Sequence, residues 1–149
     1  MSRFKNKIVL ITGAGSGIGR STALRLDKEG ATSIVVDMNA EQLKKTHLML
    51  ANPESSSRVL DISSLNDAKK CFEEINDKYG RLDALINVAG ILRFDNSHEV
   101  EISNWNKILE VNLTGTFYMC SFGLPMLLES KGCIVNVSST AALGSHAWT

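Results

Sequence analysis

The 149-residue sequence is poor in cysteine, carries no net charge and has no long uninterrupted apolar run. Its three cysteines, Cys71, Cys120 and Cys133, fit neither a disulfide framework nor a metal-binding spacing. We expect them to be buried free thiols in a reducing cytosol. The balance of 16 basic and 16 acidic residues does not favour nucleic acid or an anionic membrane surface as a partner. The apolar stretches are shorter than the roughly 20 residues that span a bilayer.

The sequence also lacks internal repeats, low-complexity segments and the apolar core of a signal peptide, because glycines interrupt its amino-terminal apolar run. Apolar residues make up 44% and charged residues 21%, which is ordinary for a soluble globular protein. The length is that of one domain. We therefore expect a single cytoplasmic domain.

What the sequence does have is a glycine cluster directly after the apolar run Ile8–Ile11. The G-x-G-x-x-G spacing fails at Ile18, whereas G-x-x-x-G-x-G fits Gly13, Gly17 and Gly19. Glycine lets a phosphate approach the backbone, and a following helix N-terminus offers unpaired N–H groups. The pattern predicts a dinucleotide-binding turn; the alternative is a glycine-rich turn that binds nothing.

A second apolar run, Ser33–Val36, ends in Asp37. Its offset from the glycines is close to that of the acidic residue that accepts hydrogen bonds from an adenosine ribose. The alternative is a turn or N-cap aspartate. A carboxylate here repels a 2′-phosphate, and the neighbouring Ala14 and Met38 are not basic, so NAD is favoured over NADP.

Apolar, β-branched runs alternate with helical patterns along the whole chain. The predicted strands are Ile8–Ile11, Ile34–Val36, Arg58–Leu60, Ala84–Asn87 and Cys133–Val137. The predicted helices are Gly17–Glu29, Glu41–Leu50, Leu65–Tyr79 and Ile102–Leu128. The strands carry few charges and alternate little, as parallel strands buried on both faces do. The order indicates a doubly wound α/β fold with a parallel sheet between two helical layers.

Polar or small residues follow several of these strands. Asp61 follows the third strand, Asn87 ends the fourth before Ala89–Gly90, and Ser138–Ser139 follow the fifth. Ligands of open α/β sheets bind at the carboxyl ends of the strands. We therefore expect these residues to face one crevice, although each alone could simply cap a loop.

Taken together, these motifs resemble the short-chain dehydrogenase/reductase family. They are Thr12–Gly19, Asp37, Asp61–Ile62, Asn87–Gly90, Val111–Phe117 and Gly132–Ser139, in family order from Lys5 to about Gly144. Val88 departs from the family's usual second asparagine. The resemblance implies a Rossmann-like three-layer fold with strand order 3-2-1-4-5, and a dinucleotide-binding domain over residues 1–149. It also implies hydride transfer between NAD and a secondary alcohol or ketone.

The resemblance implies a role for each matching residue of the cofactor site. Asp37 would hold the adenosine ribose, and Asp61 and Ile62 would contact the adenine. The remaining contacts would come from the glycine turn and from the wall after the fourth strand: Gly13, Ser16, Gly17, Ile18, Gly19, Asn87, Ala89 and Gly90.

Two residues match catalytic positions of the family. Asn112 would support a proton-relay water, the alternative being a buried structural asparagine. Ser139 would donate a hydrogen bond to the substrate carbonyl, whereas Ser138 would only end a strand. No metal is expected.

The family's catalytic Tyr-x-x-x-Lys motif would fall just beyond Thr149. Tyr79 and Tyr118 have no lysine four residues on, and we expect both to be structural. The domain is therefore expected to be incomplete at its carboxyl terminus, with Cys133–Val137 left as an exposed edge. A chain ending at Thr149 is expected to bind NAD weakly and not to turn over substrate.

The main functional prediction is an NAD-dependent oxidoreductase acting on a small alcohol or ketone. The alternative is a non-catalytic or truncated dinucleotide-binding module. The resemblance also implies a homo-oligomer formed through the long helix 102–128. Its aromatic residues Trp105, Phe117 and Phe122 are each, taken alone, expected in the core.

Overall fold

The computed structural model describes residues 2–93, 96, 98–140 and 144, which form one parallel sheet between two helical layers. The strands are β1 (Ile8–Thr12), β2 (Thr32–Asp37), β3 (Ser56–Val59), β4 (Ala84–Asn87) and β5 (Cys133–Asn136). The helices are α1 (Gly17–Lys28), α2 (Ala40–Leu48), α3 (Leu65–Tyr79), α4 (Ile102–Leu109) and α5 (Thr116–Ser130). The sheet order is β3-β2-β1-β4-β5 with every pair parallel, which confirms the predicted fold and strand order.

Successive residues of β1 point to opposite faces of the sheet and so enter two separate cores. Val9 and Ile11 pack in one core with Leu43 of α2, whereas Leu10 packs in the other with Met119 of α5. Because both faces are covered, β1 has no polar face, and this is why its sequence does not alternate.

Most predicted elements are present, with shifted boundaries. The strand predicted at Arg58–Leu60 lies at Ser56–Val59, because these residues pair in register with Ile34–Asp37 of β2. Leu60 still donates its N–H to the Asp37 carbonyl, at 3.0 Å, and so continues the direction of the strand. Ser64 caps α3, and Gly80 ends it with a φ of 63°.

The largest difference from the sequence prediction lies in the long helix. A π-helical segment, Glu110–Gly115, separates α4 from α5, and α5 continues through Pro125 to Ser130. Contacts with other elements accompany this change. A Cβ on Gly115 would lie 2.8 Å from Ile62 Cγ1, so the segment lies hard against the loop after β3.

The helical stretch Ile102–Ser130 has 29 residues, and its most apolar 18-residue window has a mean hydropathy of 1.2, so by length and composition alone it could cross a membrane. Its residues Met119, Gly123 and Leu127 are buried against the sheet and α3, as in the core helix of an α/β layer. Within the most apolar 18-residue window of this helix, 28% is buried.

Several side chains expected in the core lie on the surface instead. Trp105 and Phe117 are 54% and 63% exposed, and only Phe122 of the three predicted aromatic residues packs against the core. Trp105 and Phe117 lie on the face of the helix that points away from the sheet. All three cysteines are free, but Cys133 is exposed on β5 and only Cys71 is fully buried.

Candidate functional site

A cavity of about 500 Å³ opens at the carboxyl ends of the central strands. Its volume lies within the range of small-molecule sites, roughly 300–1,000 Å³. All the predicted cofactor-binding residues except Asn87 line it. They are Gly13, Ser16, Gly17, Ile18, Gly19, Asp37, Asp61, Ile62, Ala89 and Gly90. The sequence therefore located one continuous surface, to which Val36, Leu60 and Val111 add apolar walls.

The glycine turn is built as its spacing predicted. Gly13 has a φ of 65°, and a Cβ there would lie 2.7 Å from the Ala89 nitrogen. A Cβ on Gly19 would lie 2.1 Å from the Gly13 carbonyl oxygen, so only glycine allows α1 to pack this closely on the turn. A Cβ on Gly17, by contrast, would meet no atom within 4 Å. The turn is thus closely packed against α1 and the loop after β4, and it is open towards the cavity.

The N-terminus of α1 faces this open side. The helix begins at Gly17, and the side chain of its N-cap residue Ser16 makes no capping hydrogen bond. The first N–H groups of a helix have no partners within the helix and carry a partial positive charge. This end of the cavity therefore suits a phosphate group.

Asp37 lies half-buried at the edge of the cavity, with a backbone N–H on each carboxylate oxygen. Gly15 N donates to Oδ2 at 2.9 Å, and Asn39 N donates to Oδ1 at 2.8 Å. The contact with Asn39 is the one that a turn aspartate makes. Asp37 is therefore a turn residue, as the alternative interpretation had it, and it also lies at the cavity. Asn39 in turn caps α2 by accepting the Gln42 N–H at 3.0 Å.

Asp61 also lines the cavity, directly after β3. Burial opposes its charged form, but the hydroxyl and N–H of Ser63, at 2.6 and 2.9 Å, and the Lys107 ammonium outweigh this effect. The pKa of Asp61 therefore lies below its ordinary value. An ionised carboxylate at this position can accept hydrogen bonds from a ligand amine.

Asn87 is the one predicted cofactor residue that the structure does not bring into the cavity. Its Nδ2 donates to Asn136 Oδ1 at 2.9 Å and to Cys120 Sγ at 3.3 Å. Asn87 therefore joins β4 to β5 and α5 instead of lining the wall. The sequence showed a polar residue at a strand end but could not show the direction of its side chain.

Thr12 is a structural residue of the site to which the sequence analysis gave no role. It is fully buried at the end of β1, and its hydroxyl oxygen accepts the N–H groups of Val88 and Ala89, both at 3.1 Å. These bonds tie the glycine turn to the loop after β4. A polar residue at the end of an apolar strand, the signal that singled out Asp37, was present here as well.

The two predicted catalytic residues lie outside the lining of the cavity. Asn112, in the π-helical segment, accepts the Ile91 N–H at 2.8 Å and donates to the Ile91 carbonyl at 2.9 Å. Its Oδ1 also lies 3.3 Å from where a Cβ on Gly90 would be, so it borders the cavity rim. Ser139 is exposed beyond β5, and the structure does not bring it to the cavity.

Tyr79, Tyr118 and Cys71 make structural contacts. Tyr79 donates its hydroxyl to the Glu54 carbonyl at 2.8 Å, and Tyr118 packs against the core. Burial raises the pKa of the Cys71 thiol to about 11. Within the described part of the chain, no group of three histidine, cysteine or acidic side chains could hold a metal ion.

Comparisons with known proteins agree on one family. The short chain dehydrogenase family model matches residues 7–149. Meso-2,3-butanediol dehydrogenase of Serratia marcescens is 37% identical over 142 residues, which are 95% of this chain and 57% of that protein.

Solved structures agree over nearly the whole chain. An NAD⁺-bound xylitol dehydrogenase has a TM-score of 0.93 at 30% identity, covering 98% of this chain and 58% of that one. An actinorhodin polyketide ketoreductase with NADPH has a TM-score of 0.90 at 33% identity, covering 95% and 56%. The chain thus spans little more than half the length of these proteins. Both nicotinamide dinucleotides occur among the neighbours.

Proposed function

We propose that this chain, which belongs to the short-chain dehydrogenase family, binds NAD(H) in the cavity and supports hydride transfer to or from a secondary alcohol or ketone. The family is one of oxidoreductases acting on small molecules, and its nucleotide-binding fold implies the use of NAD or NADP. The choice of NAD, the residue roles and the reaction on this chain are our proposal.

The observation that carries the proposal is the position of Asp37 at the cavity edge. Both oxygens are fixed by backbone N–H groups and still have free lone pairs for ribose hydroxyl groups. A 2′-phosphate would meet a like charge here, and the adjacent exposed Met38 offers no cation to bind it. These features support NAD over NADP.

The other residues of the cavity are assigned to the remaining parts of the dinucleotide. The N-terminus of α1 at Gly17 and Ile18 would bind the pyrophosphate, and Asp61 with Ile62 would contact the adenine. The bound nicotinamide would supply the hydride acceptor. Asn112 would hold a water of the proton relay, and Ser139 would orient the substrate carbonyl.

A homo-oligomer formed through the helix 102–128 is part of the proposal. Its support is a row of exposed apolar side chains along this helix: Ile102, Trp105, Leu113, Phe117, Leu124 and Leu128. A cytoplasmic location is proposed with it, because Cys71, Cys120 and Cys133 are all free thiols.

A second candidate function is a dinucleotide-binding module without catalysis. The hydrogen bond of Tyr79 favours it, because this hydroxyl is committed to the Glu54 carbonyl and is not free to serve as the acid/base of a hydride transfer. Alcohol-dependent NADH formation would exclude this second candidate. Turnover by the chain 1–149 would overturn the assignment of the acid/base to a tyrosine outside it.

The binding proposal is tested by titrating the protein with NADH and with NADPH and following nicotinamide fluorescence. We expect NADH to bind about ten- to a hundredfold more tightly, because it gains charge-assisted hydrogen bonds to Asp37 and avoids repulsion. Asp37→Asn keeps the shape of the side chain and should bring the two affinities together. Equal affinities in the wild-type protein would overturn the preference for NAD, and no binding of either would overturn the site.

A further inference from the structure

Thr46 of α2 lies outside the cavity but is bonded to the glycine turn. It is fully buried, and its Oγ1 donates to the Ala14 carbonyl at 2.8 Å. The same oxygen accepts the Arg20 Nε–H at 2.8 Å. The peptide after Ala14 carries the Gly15 N–H, which donates to Asp37 Oδ2 at 2.9 Å. One chain of hydrogen bonds therefore runs from Arg20 through Thr46 to the carboxylate.

The direction of this chain follows from the donors available. The Thr46 hydroxyl has one proton, and its alternative acceptor, the Gln42 carbonyl, is farther away at 3.3 Å. That carbonyl also receives Arg20 Nη2 at 3.3 Å. The proton therefore lies towards Ala14. Hydrogen bonds aligned in this way polarise and strengthen one another.

The peptide plane transmits the orientation. Because the Ala14–Gly15 peptide is planar, fixing its carbonyl by Thr46 also fixes the direction of its N–H. Arg20 holds the following peptide as well, since its Nη2 donates to the Gly15 carbonyl and to Gln42 Oε1, the latter at 2.9 Å. Gly15 thus has both backbone groups bonded, and a Cβ there would lie 2.7 Å from Asp37 Oδ2.

We infer that Thr46, supported by Arg20, is a positioning residue that sets the orientation of the Asp37 carboxylate and thereby the selection of a cofactor without a 2′-phosphate. The inference rests on the proposed function of the cavity as an NAD site. Without the hydroxyl of Thr46, the Gly15 N–H turns away and the carboxylate is held on one side only, by Asn39.

The test compares Thr46→Val, which keeps the shape but removes the hydroxyl, with Thr46→Ser, which keeps the hydroxyl. Fluorescence titration with NADH and NADPH gives the affinities. We expect Thr46→Val to weaken NADH binding roughly three- to tenfold, the effect of one hydrogen bond. NADPH affinity should change much less, so the NADH preference falls. Thr46→Ser should retain the wild-type preference.

A second measurement does not depend on cofactor binding. The amide proton of Gly15 should move upfield in the NMR spectrum of Thr46→Val and stay in place in Thr46→Ser. If Thr46→Val does not fold, as judged by thermal melting, Arg20→Lys replaces it. This substitution removes the Nε donor and should lower the NADH preference in the same direction.

Three results would overturn the inference. They are an equal loss of affinity for both dinucleotides, an unchanged NADH preference despite a shifted Gly15 signal, and an equal effect of the valine and serine variants. If the wild-type protein bound neither dinucleotide while the Gly15 signal still responded to Thr46→Val, the proposed function would fail although the hydrogen-bond chain exists. The proposed role of Thr46 in cofactor selection would then fail as well.

Discussion

Asp83 shows how a single buried carboxylate holds the amino-terminal edge of the sheet together. Its side chain accepts hydrogen bonds from Ile8 N at 3.0 Å, Lys7 Nζ at 2.9 Å and Arg81 Nε at 3.0 Å. Burial opposes its charged form, but Arg81, Ile8 and Lys7 together outweigh burial and lower its pKa. The folded state thus favours the ionised carboxylate.

We expect Asp83→Asn to lower the free energy of unfolding at about pH 7 by about 1–3 kcal/mol, because the bonds to Arg81 and Lys7 lose their charge. Since the folded pKa of Asp83 is depressed, its stabilisation is present above the unfolded value of about 3.9 and is lost as the pH falls through the folded value. Urea unfolding should therefore show the wild type and the variant converging in acid.

The matched control is Asp77→Asn, on the exposed surface of α3. It should change the free energy of unfolding by no more than about 0.5 kcal/mol at either pH. A constant gap between wild type and Asp83→Asn from neutral to acid pH would contradict the assigned role.

For individual residues, the sequence predicted the backbone turns and strand ends, but it did not predict the side-chain contacts between different elements. Gly13, Gly19 and Asp37 were found because turns and strand ends have local signatures. Thr46 was not, because its importance comes from packing α2 against the glycine turn. The bond of the Asn87 amide to Asn136 was not foreseen either, since the chain alone does not reveal where this amide points.

The π-helical segment shows an element whose shape depends on its neighbours. Gly115→Ala would put a methyl group 2.8 Å from Ile62 Cγ1 and 3.1 Å from the Ile62 backbone. We expect this overpacking to cost about 1–3 kcal/mol in the free energy of unfolding. It should also weaken the bonds between Asn112 and Ile91, by moving the helix outward.

A double-mutant cycle with Ile62→Ala checks this prediction by urea unfolding. Removing the Ile62 side chain makes room for the added methyl group, so the double variant should be more stable than the sum of the single effects predicts. Strict additivity would show that the two residues do not contact each other as the structure has them.

Among the elements, strands and helix ends were predictable and the π-helical segment was not. The apolar runs and the capping residues Ser64 and Gly80 are local signals, and the structure has α3 begin and end at these two residues. The π-helical segment has no such signal. It accompanies the contact of Gly115 with Ile62 and the pairing of Asn112 with Ile91, which lie far apart in the sequence.

At the scale of the molecule, the described residues leave an apolar surface along the outer face of the long helix. Phe117 is 63% exposed there, and Trp105, Leu113 and Leu128 extend the same surface. Apolar patches of this kind mark contact surfaces in proteins. The strand order was expected from the family resemblance, whereas this surface became visible only in three dimensions.

We expect the protein to self-associate through this surface. Phe117→Glu should shift sedimentation velocity profiles towards the monomer, because a charge would be buried in the contact. Leu48→Glu is the matched control: Leu48 is 73% exposed on α2, on another part of the surface, and this variant should sediment like the wild type. Identical profiles for wild type and Phe117→Glu would contradict the proposed interface.

The π-helical segment has a consequence for changes in chain length. A π turn contains one residue more than an α turn. Deleting one residue within Glu110–Gly115 would therefore leave a regular α-helix, in which α4 and α5 present the same side chains to their neighbours as before. Met119 and Leu127 would stay in the core, and the scaffold would survive. Asn112, however, would lose its alignment with Ile91. Deleting a single residue here would therefore keep the fold and disrupt the contact that Asn112 makes at the cavity rim.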